Sequence, residues 1–224
     1  MLFFLNGPGS TGKTFVYNTV CHKLWGDGLI VLCVASSGIA AFLLSSGWTA
    51  HSVFKIPIDL HEDLTCSISK ESALVSLIWA TALIIWDEVT MQNRYAMEAV
   101  DRTLHDLLDN EQPFGGITVV FDGDPQQILS VVVKESREEI VGALLQQSYL
   151  WQHIKLLHLQ QNMHLERQPE NTLFAHWQLH VGHGQILEDN GTIPLPDSMI
   201  CTDTNELICS IYPRIDSTPT PTPE

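Results

Sequence analysis

The sequence predicts an α/β fold, a parallel sheet covered by helices on both faces. Three observations predict it. Apolar runs of strand length alternate with segments of helical spacing along most of the chain. Those runs are almost wholly apolar, as in strands buried on both faces. The first and third of them lead straight into residues that handle charge, at the sheet edge where ligands of such folds collect.

The first run, Leu2–Leu5, opens into Gly7-Pro8-Gly9-Ser10-Thr11-Gly12-Lys13-Thr14. This is G-x-x-x-x-G-K-T after a strand, the Walker A pattern. Glycines let the backbone curl so that its N–H groups converge on phosphates. Lys13 places a charge at the β- and γ-phosphates, and the Thr14 hydroxyl is a Mg²⁺ ligand candidate. A helix over Thr14–Trp25 follows, with Phe15, Val16, Thr19, Val20 and Leu24 near helical spacing and its positive dipole end toward the anion. Next come a strand over Leu29–Ala35 and helices over Gly38–Ser46 and Glu71–Ala80. The strand Leu83–Trp86 ends in Asp87-Glu88, the Walker B pattern: Asp87 is a candidate for Mg²⁺ and Glu88 for the base that polarises water. A helix over Tyr95–Leu108 leads to a strand over Ile117–Phe121, which ends in Asp122-Gly123-Asp124-Pro125-Gln126-Gln127. Gln127 there is read as sensing the γ-phosphate or orienting water, against the alternative of a plain Asp/Gly/Pro turn. A strand over Lys155–Leu159 and a helix over Leu173–Val181 complete the pattern.

The 224 residues are 45% hydrophobic, enough for a buried core. The chain opens on a strand without a basic leader, so no secretory signal is expected. From Gly28 to Phe54 there is no charged side chain, but Ser36, Ser37, Ser45, Ser46, Thr49 and His51 and the breaks at Gly38 and Gly47 argue for buried strand, turn and helix rather than a membrane span. Cys21, Cys33, Cys66, Cys201 and Cys209 have no metal-site spacing and read as free thiols in a reducing compartment. With 11 basic and 26 acidic residues the net charge is −15, which argues against a broad nucleic-acid surface and leaves room for a narrow one. The Thr/Pro-rich segment 214–224 reads as a disordered tail, and residues 1–213 as one domain.

Taken jointly, several segments resemble the petite-integration-frequency (PIF) family of DNA helicases, above all the helicase-like proteins of eukaryotic genomes and Helitron transposons. They are Gly7–Thr14, Ala35–Ala41, Thr49–Pro57, Ile84–Glu88, Glu98–Leu104, Pro113–Gly116, Gly123-Asp124, Gln127–Leu129 and Asn162-Met163. The resemblance implies a RecA-like phosphate-loop domain that uses ATP and Mg²⁺ and moves 5′→3′ on single-stranded DNA. It implies the first of two motor domains, the second being absent from this chain. It places Ser36, Ser37, Gly38, Thr49, His51 and Phe54 toward the DNA path, where His51 or Phe54 would stack on a base. From the residues alone, Phe54 filling the core and His51 capping a turn is the stronger reading. The compartment implied is nucleus or cytoplasm, the nucleus favoured, with the mitochondrion as an alternative.

Three departures from the family pattern bear on activity. Pro125 and Gln126 stand where the family has Phe and Arg, and His164 stands where it has an Arg that reaches the γ-phosphate. An arginine in that role is worth about 10³–10⁵ in rate, so a copy that binds nucleotide or DNA without turnover is the alternative expectation. The family's upstream adenine-reading Gln has no counterpart here, which predicts loose discrimination among nucleotides.

Overall fold

A computed structural model describes residues 1–124, 136–163, 172–188 and 191–212. By its internal packing the chain divides into two compact units, Met1–Thr172 and Leu173–Glu224, whereas the sequence reading drew a single domain to residue 213. Residues 214–224 lie outside the described residues.

The first unit is a six-stranded sheet. Its strands are β1 (Leu2–Asn6), β2 (Ile30–Ala35), β3 (Trp48–Thr49), β4 (Thr81–Asp87), β5 (Thr118–Gly123) and β6 (Ile154–His158). They lie in the order β3-β2-β4-β5-β1-β6, and every pairing is parallel. Parallel neighbours need crossovers. Helices α1 (Lys13–Gly26), α2 (Gly38–Leu43), α3 (Ala50–Phe54), α4 (Ala73–Trp79), α5 (Arg94–Leu108) and the short α6 (Arg137–Gly142) lie between the strands.

The apolar runs alternate between two cores. Leu2, Phe4, Val34, Ile84, Trp86, Val119 and Phe121 face one core, closed by Phe54, Val75, Ile78 and the apolar side of α5. Leu5, Val31, Cys33, Ala35, Leu83 and Ile85 face the other, closed by Tyr17, Cys21, Ala40, Ala41 and Leu44. Burial on both faces is the physical cause of the unbroken hydrophobic runs. Trp86 anchors the first core, with Phe54 stacked on it at 5.6 Å and Phe121 at 6.2 Å.

The helix α1 corrects the expected facing. Tyr17 and Cys21 are its fully buried residues, Val16 and Leu24 pack beside them, and Phe15 is 76% exposed. Tyr17 was passed over because its hydroxyl reads as polar, although its ring is core. The helix α2 stops at Leu43 rather than Ser46, because Leu44 turns extended and Ser46 takes φ +55°. The elements β3 and α3 were not anticipated, since two and five residues are too few to show a period.

In the second unit, α7 (Thr172–Gly182, its first residue belonging to the first unit) carries Phe174 stacked on Trp177 at 5.6 Å, and the Trp177 indole donates to the Pro194 carbonyl at 3.1 Å. The helix α8 (Thr204–Ile211) is capped by Asp203, which accepts from the Glu206 amide at 2.8 Å. Among the described residues no helix is long and apolar enough to cross a membrane.

Candidate nucleotide site and its neighbouring edge

The loop after β1 curls because Ser10 and Gly12 both adopt left-handed backbone, φ +67° and +87°. Gly7 is packed so closely that a Cβ would lie 2.6 Å from Thr11 Oγ1 and 3.1 Å from Leu159 Cβ. The Thr11 hydroxyl donates to the Pro8 carbonyl at 2.8 Å and closes the curl. Two backbone bonds pin the loop from outside: Leu159 N–H to Asn6 O and Met163 N–H to Ser10 O, each 2.9 Å. Lys13 Nζ donates to the Gly7 carbonyl at 2.6 Å, so its ammonium sits across the mouth of the loop. Gly12 begins α1 without a side-chain cap, which leaves the helix's first N–H groups for an anion.

Acidic groups gather opposite. Asp87 ends β4, buried, and its Oδ1 accepts from the Glu88 amide at 3.0 Å. Glu88 takes φ +55°, a left-handed conformation that costs a non-glycine residue energy. Burial raises the Glu88 carboxyl above its usual range, Asp87 and Asp124 add to the rise, and Lys13 opposes it. Asp122, 2% exposed on β5, is pushed up to about 8 by burial and by a hydrogen bond with Asp87, against the pull of Tyr17 and Lys13. Tyr17 is driven well above the usual phenol range, first by burial and then by Asp122. The Tyr17 hydroxyl and Asp122 Oδ1 are sealed from solvent without a hydrogen bond of regular geometry.

Lys13, Asp87 and Glu88 therefore meet at one edge of the sheet, as the two sequence patterns required. Asp122 and Tyr17 were missed as members. An Asp inside an apolar strand was the available signal for the first; none existed for the second. Gln127 and His164, together with Pro125 and Gln126, lie outside the described residues.

The donors suit Mg²⁺. Thr14 and Asp87 offer hard oxygens, and the Glu88 carboxyl lies in the field of Asp87 and Asp124. Among the described residues no three His, Cys, Asp or Glu side chains form a metal cage. Mg²⁺ held chiefly by phosphates and one or two protein oxygens needs none.

The neighbouring edge holds the other expected residues. Ser36 N–H donates to the Asp87 carbonyl at 3.1 Å, and its one hydroxyl proton is shared between the same carbonyl and Gln92 Oε1, both at 3.3 Å. Ser37 caps α2 by accepting from the Ala40 amide at 3.2 Å. A Cβ on Gly38 would meet nothing within 4 Å, so packing does not demand glycine there. Thr49 caps α3 by accepting from the Ser52 amide at 3.3 Å. His51 Nδ1 lies 3.1 Å from Gln92 Nε2. Phe54 departs from the expectation drawn from the resemblance: it is fully buried against Trp86, so its ring stacks within the core and not on a base.

The comparisons agree with this geometry. The PIF1-like helicase family profile matches residues 1–192. The chain is 32% identical over 158 residues to the ATP-dependent DNA helicase Pif1 of Psychrobacter sp. (strain PRwf-1), a match spanning 70% of this chain and 24% of that protein. It is 26% identical over 144 residues to the ATP-dependent DNA helicase RRM3 of Saccharomyces cerevisiae, 61% of this chain and 19% of that one. Among solved structures, Bacteroides Pif1 bound to ssDNA superposes with a TM-score of 0.69 at 27% identity over 82% of this chain and 43% of that one. Bacteroides sp. Pif1 in complex with ADP-AlF4 gives 0.66 at 25% identity, over 84% and 44%. The chain thus spans less than half the length of each of these relatives. With the Walker residues brought to one edge of a RecA-like parallel sheet and a family match over most of its length, the chain belongs to the PIF1-like helicases.

Proposed function

We propose that this chain is the ATP-binding half of a helicase that couples ATP hydrolysis to 5′→3′ movement on single-stranded DNA, the other half being a second RecA-like motor domain. One observation carries the reading: Lys13 and the Asp87-Glu88 pair face each other at the strand ends, and the Ser36 edge is hydrogen-bonded to the same end of β4. Lys13, held by the Gly7 carbonyl, keeps two further donors for phosphate oxygens. Mg²⁺ arriving with the triphosphate would be held by Thr14 and Asp87 and would offset charge on the β- and γ-oxygens. Glu88 accepts the proton of the attacking water, and the nearby ammonium of Lys13 favours its ionised form. By the same reading the protein works where DNA is held, the nucleus in a eukaryotic cell.

The test is nucleotide binding by calorimetry and turnover with and without oligo-dT, comparing the chain with Lys13→Ala and Glu88→Gln. Lys13→Ala should weaken Mg-ATP binding by about tenfold or more, the loss of a charged hydrogen bond. Glu88→Gln should bind normally and lose about 10²–10⁴ in turnover. No heat of binding in the folded protein would overturn the reading. Binding with turnover equal to that of Glu88→Gln would select the alternative of a helicase-like protein without hydrolysis.

A further inference from the structure

Gln92 lies just past the 3₁₀ turn Val89–Met91 that follows the acidic pair, and it is 6% exposed. Its Oε1 accepts from the Trp86 indole at 3.1 Å and from the Ser36 hydroxyl at 3.3 Å, and its Nε2 meets His51 Nδ1 at 3.1 Å. Chemistry fixes the orientation. An indole N–H only donates, so the amide oxygen faces Trp86 and the amide nitrogen faces His51. An amide nitrogen also only donates, so His51 Nδ1 is the acceptor. The ring is then neutral, with its proton on Nε2. Burial independently holds His51 below the usual imidazole range. His51 Nε2 has no hydrogen-bond partner among the described residues and is not sealed from solvent. One amide therefore sets the tautomer of a histidine and ties it to Trp86, the neighbour of Asp87.

We propose that Gln92 is a positioning residue for nucleic-acid binding: it fixes His51 so that Nε2–H is presented as a hydrogen-bond donor to an acceptor oxygen of a single DNA strand. The proposal rests on the reading that this edge meets DNA. Gln92 acts through His51 and touches no nucleotide itself.

Two measurements on the full chain decide it. Long-range ¹H–¹⁵N spectra of the imidazole should show Nε2 protonated and Nδ1 bare. Gln92→Glu keeps an acceptor for Trp86 and Ser36 but removes the donor, and should move the His51 proton to Nδ1 or charge the ring. Fluorescence anisotropy with labelled oligo-dT at low salt gives the second readout. His51→Ala and the uncharged Gln92→Leu should each weaken binding by about five- to tenfold. In the His51→Ala background, Gln92→Leu should cost less than about twofold more, because the two act as one unit. Full multiplication of the two losses, or a wild-type ring protonated on Nδ1, would overturn the proposal. Failure of the unaltered chain to bind the strand, with the Nε2–H tautomer in place, would instead overturn the DNA reading beneath it.

Discussion

A carboxyl group enclosed by Tyr17 and Asp87 titrates unlike one in water. The pKa of Asp122 is pushed up to about 8 in the fold, while an unfolded chain releases that proton near 3.9. Between those values the folded state retains a proton that the unfolded state has lost. The stability this gives is full below about pH 3.9 and is lost as pH rises through about 8. Asp122→Asn cannot ionise, so it should raise the thermal midpoint at pH 7.5 by at least about 2–4 °C, the shift that about 1 kcal/mol gives in a chain of this size. Near pH 4 the two proteins should melt together. A melting series across that range checks both ends, and an advantage that persists at pH 4 would mean packing rather than charge. Residues 7–14 and 87–88 were legible from their pattern alone, because phosphate chemistry needs those types at that spacing. Asp122 was not, since it meets Asp87 and Tyr17 only because β5 lies between β4 and β1, an order set by topology and not by sequence distance.

The element scale explains the fate of the residues expected along the DNA path. The helix α3 is a single short turn between its cap, Thr49, and the left-handed Lys55 at φ +55°. Three residues apart, His51 and Phe54 share the side of that turn that faces β4, so the turn that brings His51 to Gln92 also packs Phe54 on Trp86. Phe54→Ala should therefore cost about 3–5 kcal/mol of stability, the usual loss for a buried aromatic, measured by denaturant unfolding. A base-stacking Phe54 would instead leave stability unchanged and weaken strand binding. The long elements were readable. The strand β4 and the helix α5 have enough residues for burial to impose a period, and their bounds fall within a few residues of expectation. The α2–β3–α3 segment was not readable, because caps and left-handed residues define it rather than periodicity.

For the molecule as a whole, the −15 charge and the acidic groups around Lys13 repel phosphates except where a few donors converge. On the proposed function, recognition of a strand would be confined to a narrow line of residues. The order of the sheet adds a constraint of another kind. β1, which carries the phosphate loop, is flanked only by β5 and β6, and both are made long after it. Residues 7–14 are complete well before β5 and β6 are made, yet β1 has nothing to pair with until residues 118–158 have left the ribosome. A chain stopped at Gln112 should collapse around β2 and β4 and fail to retain nucleotide, although Gly7–Thr14 is intact. A chain stopped at Met163 should retain it. Filter binding of radiolabelled ATP to the two chains after release separates them, and makes assembly of the triphosphate cradle wait on strands that lie more than a hundred residues beyond the loop.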